Sequence, residues 1–207
     1  MCYFIDNSKF GIGDERDEEI KRNISAYVSG LTHPNVPIIT DESSEIIIAK
    51  WRFNPNIPET NKNITIGLNI KSENVSETTM FKEFTDQHCI IPVNGFYEWK
   101  HYNNSKIKVK HYITMEKEET FYLAGLWRFY NDKKVSFGIL TTPSNELMTD
   151  IHNNKKRMPI CLNKKQADIF LKSDELENII FPNLNPQLLA LNLEPEKIKG
   201  LQGNLFE

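Results

Sequence analysis

The sequence predicts an α+β domain built on an antiparallel, barrel-like β-sheet with a few flanking helices. Candidate strands outnumber candidate helices, and they form meander-like runs with short polar connections instead of alternating regularly with helices. The 207-residue chain can bury a sizeable core, and its 39% hydrophobic and 26% charged residues are typical of globular proteins. We therefore expect a single domain over residues 1–207, in which residues 182–207 wrap the surface or fray.

The strands are predicted from alternating patterns and β-branched runs. Over residues 107–115, Ile107, Val109 and Ile113 lie on one face with two further residues, and lysines occupy the other face. Other strands are expected at the N-terminus and at residues 45–53, 89–93, 121–129 and 135–141.

Helices are expected at four places. An amphipathic helix over residues 14–29 is predicted because Ile20, Ile24, Tyr27 and Val28 recur at helical spacing. A short helix capped by Ser76 would turn apolar residues inward, namely Met80, Phe81 and Phe84. Residues 145–152 and 164–172 also have a helical pattern.

The charge balance is uneven along the chain. With 25 basic and 28 acidic residues, the formal net charge of −3 argues against a nucleic-acid binder when the chain is taken whole. Residues 94–165, however, hold 13 Lys or Arg against 7 acids, a local charge of +6, and the remainder carries −9. An anionic partner is therefore not excluded, although lysines that simply coat the middle region would give the same count.

The cysteines indicate neither a disulfide framework nor a metal site. Cys2, Cys89 and Cys161 are odd in number, with no Cys-x-x-Cys and no close Cys/His spacing. We expect no metal and no cofactor. The sequence also lacks a secretory signal and an 18-residue apolar run, so a cytoplasmic protein without a membrane partner is expected.

Position 2 carries the most unusual chemistry. Removal of Met1 would leave the α-amine and the thiol of Cys2 on one residue, with ordinary pKa values of about 7.7–8.0 and 8.5. Such a 1,2-aminothiol reacts distinctively with an aldehyde, because the amine forms an imine and the thiol closes a five-membered thiazolidine. The alternative is an accidental, buried cysteine.

Two further segments carry candidate catalytic groups. Residues 94–99 (Asn-Gly-Phe-Tyr-Glu-Trp) place Glu98 between large aromatics, where a carboxylate resists ionisation and serves as general acid or base. An ordinary hairpin with a packed face has the same pattern. Residues 152–157 place His152 before three cations suited to phosphate, although a helix cap followed by a solvated loop is equally consistent.

Taken in order, these motifs resemble the SRAP (SOS response-associated peptidase) family. The features are an initial Met-Cys, Asn-Gly-Phe-Tyr-Glu-Trp, Ala-Gly-Leu-Trp at 124–127, Thr-Thr at 141–142, and Ile-His with Arg-Met-Pro at 151–159. The resemblance runs from residue 2 to about residue 162. It implies an SRAP fold and an abasic-site sensor that crosslinks covalently to single-stranded DNA and protects the lesion in the DNA damage response.

The resemblance also implies roles for individual residues. Cys2 would form the thiazolidine, and Glu98 would assist imine formation, ring closure and reversal by lyase-type chemistry. Asn69 would orient the amine or a sugar hydroxyl, and His152 would donate a proton during sugar ring opening. The residues expected to contact DNA are Trp51, Lys71, Lys155, Lys156 and Arg157. The family's peptidase role implies that the chain removes its own Met1, and we expect a monomer that associates with the nucleoid when bound to DNA.

The chain departs from the family pattern at several DNA-facing positions. Tyr3 and Phe4 stand where the family usually has Gly-Arg, and Lys71 replaces an arginine and loses its bidentate fork. Arg52 follows Trp51 in place of a glycine. Residues 153–156 (Asn-Asn-Lys-Lys) expand the family's compact His-x-Arg-Met-Pro and add two positive charges.

Two other functions stay open on the sequence alone. One is an N-terminal cysteine peptidase or amidohydrolase in which the Cys2 amine or His152 activates the thiol. The other is a non-covalent single-strand binder that stacks bases on Trp51, Tyr97 and Trp99 and follows the backbone with its basic loop.

Overall fold

A computed structural model describes residues 2–10, 18–54, 56–58, 60, 64–102, 106–130, 133–173 and 176–197. Within these ranges the chain forms thirteen strands, three α-helices and short 3₁₀ turns. The strands are β1 (Phe4–Asp6), β2 (Val28–Ser29), β3 (Asn35–Thr40), β4 (Ser43–Trp51), β5 (Asn69–Lys71), β6 (His88–Val93), β7 (Gly95–Tyr102), β8 (Ile107–Met115), β9 (Phe121–Tyr130), β10 (Lys134–Pro143), β11 (Arg157–Pro159), β12 (Cys161–Leu162) and β13 (Leu188–Asn192). The helices are α1 (Glu18–Arg22), α2 (Glu146–Ile151) and α3 (Lys164–Phe170).

Five strands close a barrel. The order β10-β4-β3-β6-β9 is completed by pairing of β9 with β10. The short strands β5 and β11 pair with the C-terminal half of β10, and β12 pairs with the N-terminal half of β9. Most pairs are antiparallel, but β10 runs parallel to β4 and β5. The predicted α+β fold with an antiparallel, barrel-like sheet is confirmed, with these parallel contacts as an addition.

Two glycines allow the barrel to close tightly. A Cβ on Gly138 would lie 2.7 Å from the Gly67 carbonyl oxygen, and one on Gly125 would lie 2.8 Å from the Gly138 carbonyl oxygen. Both neighbours are backbone atoms that cannot rotate away, so glycine is required at these two positions.

A second sheet, here called the outer sheet, has the order β13-β8-β7-β1-β2 and is antiparallel throughout. Its inner face packs Ile5, Phe96 and Ile113 into one hydrophobic cluster with barrel residues such as Trp127. A second cluster lies under α3 and includes Phe170. The strand predicted at 107–115 is confirmed as β8, because its apolar residues lie on the face that meets this core.

The N-terminal helix is much shorter than predicted. Only α1 is helical, it buries no residue, and residues 11–17 lie outside the described ranges. Tyr27 precedes β2, and Val28 within it pairs with Ile5 of β1. An apolar run at helical spacing is here used to extend the edge of a sheet, where pairing with β1 outweighs the local pattern.

The other predicted helices differ in outcome. Both α2 and α3 are confirmed, with Asn145 capping the first and an Asn163/Gln166 capping box starting the second. The segment after Ser76 consists of turns instead of a helix, although its apolar residues do pack against the second cluster, namely Met80, Phe81 and Phe84.

The C-terminal segment does more than wrap the surface. β13 pairs with β8 from Leu188↔Met115 to Asn192↔His111 and so forms one edge of the outer sheet. Residues 198–207 lie outside the described ranges. The single-domain boundaries over residues 1–207 stay a prediction.

Candidate active site

Pairing of β1 with β7 brings the N-terminus to Glu98. Ile5 faces Phe96 and Asp6 faces Gly95, so the same antiparallel register extended by two pairs places Tyr3 opposite Glu98. Cys2 therefore lies two residues before β1, whose neighbour β7 carries the candidate general acid. The sequence contains both residues, and the register explains why they meet.

Cys2 is fully buried. Its Sγ lies 3.9 Å from the carbonyl oxygen of Phe4, and its own carbonyl accepts a hydrogen bond of 2.9 Å from Asn69 Nδ2. Burial raises the pKa of the Cys2 thiol well above its ordinary value, and the Glu98 carboxylate raises it further. The thiol is thus protonated near neutral pH and needs a base to become a nucleophile.

Asn69 is the residue that holds the Cys2 backbone. It begins β5, which β10 fixes through the pairing of Asn69 with Ile139. Among the described residues, its buried Oδ1 has no hydrogen-bond partner. The side chain therefore presents an acceptor next to the residue whose amine would be released by loss of Met1.

Glu98 lies on β7 with 6% of its surface exposed. Burial raises the pKa of its carboxyl to about 7, and the positive charge of Lys155 opposes that rise. A carboxyl with this pKa holds comparable amounts of acid and base near neutrality, as the sequence predicted for an acid between large aromatics.

His152 ends α2 as its C-cap residue and is also buried. Its Nδ1 lies 2.7 Å from the carbonyl oxygen of Arg157. Because a carbonyl only accepts, Nδ1 carries the proton and Nε2 presents its lone pair. Burial and, to a smaller extent, the positive charge of Lys155 lower the pKa of His152 to about 4, so the imidazole is neutral at pH 7.

A cavity of about 440 Å³ joins Glu98 and His152, and Tyr3, the residue after Cys2, also lines it. Its walls include both Glu98 and His152, which come from different elements of the fold. The lining residues are Tyr3, Phe4, Glu98, Trp99, His101, Lys108, His152, Asn154 and Lys155. The cavity combines an acid near its pKa, a neutral imidazole and two lysines, a composition suited to a polar, anionic ligand.

The loop after His152 is fastened to β7. The side-chain amide of Asn153 accepts from the His101 backbone N–H at 3.2 Å and donates to the His101 carbonyl at 2.8 Å. This clamp places Asn154 and Lys155 in the cavity wall. The expansion recognised in the sequence therefore supplies part of the site.

The other predicted DNA contacts have different environments. Lys71 and Lys156 are exposed, as is Lys155. Arg157 instead makes a bidentate ion pair with Glu73, with distances of 2.7 and 2.8 Å, and also donates to the Thr141 carbonyl. Its guanidinium is thus already committed to joining β11 to the turn after β5.

Trp51 needs a correction. It is fully buried, its Nε1 donates to the Leu68 carbonyl at 3.0 Å, and its ring stacks on Phe137. A side chain with no exposed surface does not stack on a base, so the structure places Trp51 in the core and not at a DNA edge.

His101 and Lys108 line the cavity but were missed by sequence reasoning. They face each other across β7 and β8. The alternation in residues 107–115 placed Lys108 on the polar face, but the pattern alone did not say which strand lies beside it. Knowledge of the β7–β8 register would have found both.

Comparison with known proteins identifies the family. The model described as SOS response associated peptidase (SRAP) matches residues 9–194. The chain belongs to the SRAP family. The resemblance deduced from the motifs is thereby confirmed, and the matched region of this SRAP protein includes Asn69, Glu98 and His152 but begins after Cys2.

Similar proteins occur in Bacillus. The abasic site processing protein YoqW of Bacillus subtilis (strain 168) is 31% identical over 205 residues, covering 90% of this chain and 86% of that protein. The abasic site processing protein YobE of the same strain is 29% identical over 197 residues, covering 84% and 88%.

Solved structures share the fold. A protein from Bacteroides thetaiotaomicron has a TM-score of 0.76 at 24% identity and covers 96% of this chain and 94% of its own. One from Bordetella bronchiseptica has a TM-score of 0.68 at 19% identity, covering 93% and 99%. Among the described residues of this SRAP protein, no helix has the length and apolar character needed to cross a membrane.

Proposed function

We propose that this SRAP protein captures abasic sites in single-stranded DNA through a covalent thiazolidine at Cys2, and so protects the lesion. The observation that carries the proposal is Glu98, a buried carboxyl with a pKa of about 7 in a cavity shared with His152 and with Tyr3, the residue after the N-terminal cysteine. The names of the Bacillus relatives support an abasic-site substrate.

The proposed reaction begins with loss of Met1, by self-cleavage or by an aminopeptidase, which frees the Cys2 α-amine. The amine adds to the aldehyde carbon of the ring-opened sugar, and protonated Glu98 donates its proton as the hydroxyl leaves as water. A protonated imine results, and Glu98 is left ionised. The Cys2 thiol then gives its proton to Glu98 and its sulfur bonds to the imine carbon, while the C=N electron pair moves to nitrogen and leaves a neutral ring N–H. Aldehyde and aminothiol thus give thiazolidine and water, and reversal follows the same steps.

Asn69 is proposed as a positioning residue for the amine. Its Nδ2 already holds the Cys2 carbonyl, and its Oδ1 is free among the described residues to accept from the α-amine. Together the two contacts would fix the rotation of the nucleophile about its own backbone.

The role of His152 is proposed in a revised form. The resemblance implies a proton donor, but a neutral ring that donates Nδ1–H to Arg157 offers a lone pair at Nε2. We infer that His152 accepts the anomeric hydroxyl proton while Glu98 protonates the ring oxygen as the sugar ring opens, and that the proton on His152 then returns to Glu98 before imine formation. Lys155 and Lys156, with Lys71, are proposed to bind flanking phosphates.

The decisive experiment is incubation of the mature protein with a single-stranded oligonucleotide bearing one abasic site. Intact-mass measurement should show protein plus oligonucleotide minus one water. Cys2→Ala should abolish this species, and Cys161→Ala, which removes another buried thiol, should retain it.

Other outcomes would support the alternatives. If wild type and Cys2→Ala behave alike and binding is fully reversed by salt, the chain is a non-covalent binder. Hydrolysis of peptides or amides without an aldehyde adduct would identify an N-terminal cysteine hydrolase.

A further inference from the structure

A lysine held among aromatic rings lies beside the cavity. The Lys110 ammonium is 4.2 Å from the centre of the Tyr27 ring, 4.3 Å from that of Tyr97 and 5.7 Å from that of Trp99. We call Phe4, Tyr27, Tyr97 and Trp99 the aromatic cradle. Cation–π contacts with several rings fix an ammonium that would otherwise move freely on a flexible stem.

The Lys110 ammonium is partly removed from water and has no ion-pair partner among the residues that the structure describes. Burial lowers the pKa of Lys110, while Glu194, which accepts the Lys110 backbone N–H, raises it. Within the described ranges, no carboxylate forms a salt bridge with this ammonium. Aromatic rings lower the cost of removing the charge from water without neutralising it, so the cation keeps its attraction for an anion.

Phe4 builds the cradle. Its ring stacks on Tyr27 at 5.1 Å and meets Trp99 edge-on at 5.0 Å. This is the position where the family's usual opening has an arginine. The chain therefore lacks a cation at residue 4 and instead has a ring there that helps to position the cation at residue 110.

The cradle is continuous with the cavity. Phe4 and Trp99 belong to the cradle and also line the cavity, and Lys108 lines the cavity beside them. Lys108 and Lys110 are two residues apart on β8, so they point from the same face of the outer sheet at a separation of about 6.7 Å. Two cations thus lead outward from the cavity that contains Glu98.

We propose that Lys108 and Lys110 form a subsite for backbone phosphates of a single strand whose next nucleotide occupies the cavity. The subsite reads charge and not base identity, because neither ammonium group is part of a planar, bidentate donor. The assignment deepens the proposed function and rests on it for the identity of the strand.

The test measures non-covalent binding of an intact single-stranded oligonucleotide across a salt series. Lys108→Gln and Lys110→Gln should each lower the magnitude of the slope of log K against log salt by about 0.7, and weaken binding about fivefold at 0.1 M salt. The control is Lys164→Gln, an exposed lysine on α3, a helix that packs against β9 and β12 of the barrel, and this change should leave the slope unchanged.

Two more variants separate the cradle from base stacking. Lys110→Arg should retain most of the affinity. Tyr27→Leu should weaken binding in the wild-type background and have no further effect when combined with Lys110→Gln, because it acts through Lys110. A loss from Tyr27→Leu that persists beside Lys110→Gln would show that Tyr27 stacks on a base and would overturn the proposed role of the cradle.

The result that overturns the subsite is an affinity and salt slope for Lys108→Gln and Lys110→Gln equal to those of Lys164→Gln. Lys108 is exposed and so provides this comparison even if Lys110→Gln fails to fold, which a thermal melt would detect. Intact DNA forms no aldehyde adduct. If the covalent reaction fails but Lys108→Gln and Lys110→Gln still lower the salt slope and the affinity for intact DNA, the proposed function is rejected and the phosphate subsite is retained.

Discussion

Glu98 links the proposed chemistry to stability at the scale of one residue. Its carboxyl ionises with an ordinary pKa in the unfolded chain but at about 7 in the folded one, so raising the pH from about 4.5 to 7 favours the unfolded state. Glu98→Gln removes this penalty. We expect the variant to be more stable than wild type above pH 7, by at most about 3 kcal/mol, and to crosslink far more slowly.

Denaturant unfolding and crosslinking rates at several pH values would measure both effects. Glu45→Gln, at an exposed position on β4, is the matched control and should change neither quantity. Equal stability of Glu98→Gln and wild type above pH 7 would contradict the raised pKa of the carboxyl.

His152 acts in the opposite direction. Its pKa of about 4 in the folded protein is below the ordinary value of 6.5, so the unfolded chain binds a proton first as the pH falls. Wild type should therefore lose about 2 kcal/mol of unfolding free energy through this residue between pH 7 and 5, and His152→Gln should not. Both proteins should be compared in the Glu98→Gln background. In wild type, protonation of Glu98 between pH 7 and 5 stabilises the folded state and would mask the loss caused by His152.

At this scale the sequence predicted residues by their chemistry and not by their exposure. Cys2, Glu98 and His152 could be singled out because an aminothiol, a carboxyl among aromatics and a histidine before cations each indicate a reaction. Trp51 was misplaced, since nothing local tells which face of β4 enters the barrel.

At the scale of elements, the Asn153 clamp controls the cavity wall. Asn153→Ala removes both hydrogen bonds to the His101 backbone and should cost about 1–2 kcal/mol of unfolding free energy. It should also slow crosslinking, because Lys155 loses its fixed position. Asn154→Ala, the neighbouring change that leaves the clamp intact, should cost less stability; equal losses from both variants would argue against the clamp.

Strands and helices were predictable from the sequence where one of their faces is buried against the hydrophobic core. The alternation in β8 gave its bounds because its inner face packs on the barrel and buries every second residue, and the helical patterns at 145–152 and 164–172 located α2 and α3, which the structure shows to be capped by Asn145 and Asn163. The helix predicted over residues 14–29 is wrong beyond α1, because Val28 at its C-terminal end lies in β2 and pairs with β1. Helical spacing of apolar residues does not show whether a strand distant in sequence will pair with the same segment.

At the scale of the whole molecule, closure of the barrel depends on glycine at β10. Gly138→Ala would force a Cβ to within 2.7 Å of the Gly67 carbonyl oxygen. The shift needed should cost about 1–3 kcal/mol and lower the melting temperature by several degrees. A calorimetric scan would test this, and an unchanged melting temperature would mean that the barrel relaxes freely.

The overall charge of −3 also has meaning only at this scale. The excess of lysines in residues 94–165 could be counted, but their grouping depends on two pairings that the count does not contain. The pairing of β7 with β8 places Lys108 beside His101 and Lys110 beside Trp99. The clamp to His101 brings Lys155 to the cavity that Lys108 lines. A protein with a net negative charge can thus have a positively charged surface beside one cavity.

The burial of Cys2 has a consequence for selectivity inside a cell. All three cysteines have essentially no exposed surface. A dissolved electrophile such as a small metabolic aldehyde or an oxidant therefore meets no thiol on the folded protein. Under the proposed function, an aldehyde carried on a strand bound in the cavity would be held beside the N-terminus long enough to react with this buried thiol. Shielding of the nucleophile would then reserve it for the proposed target.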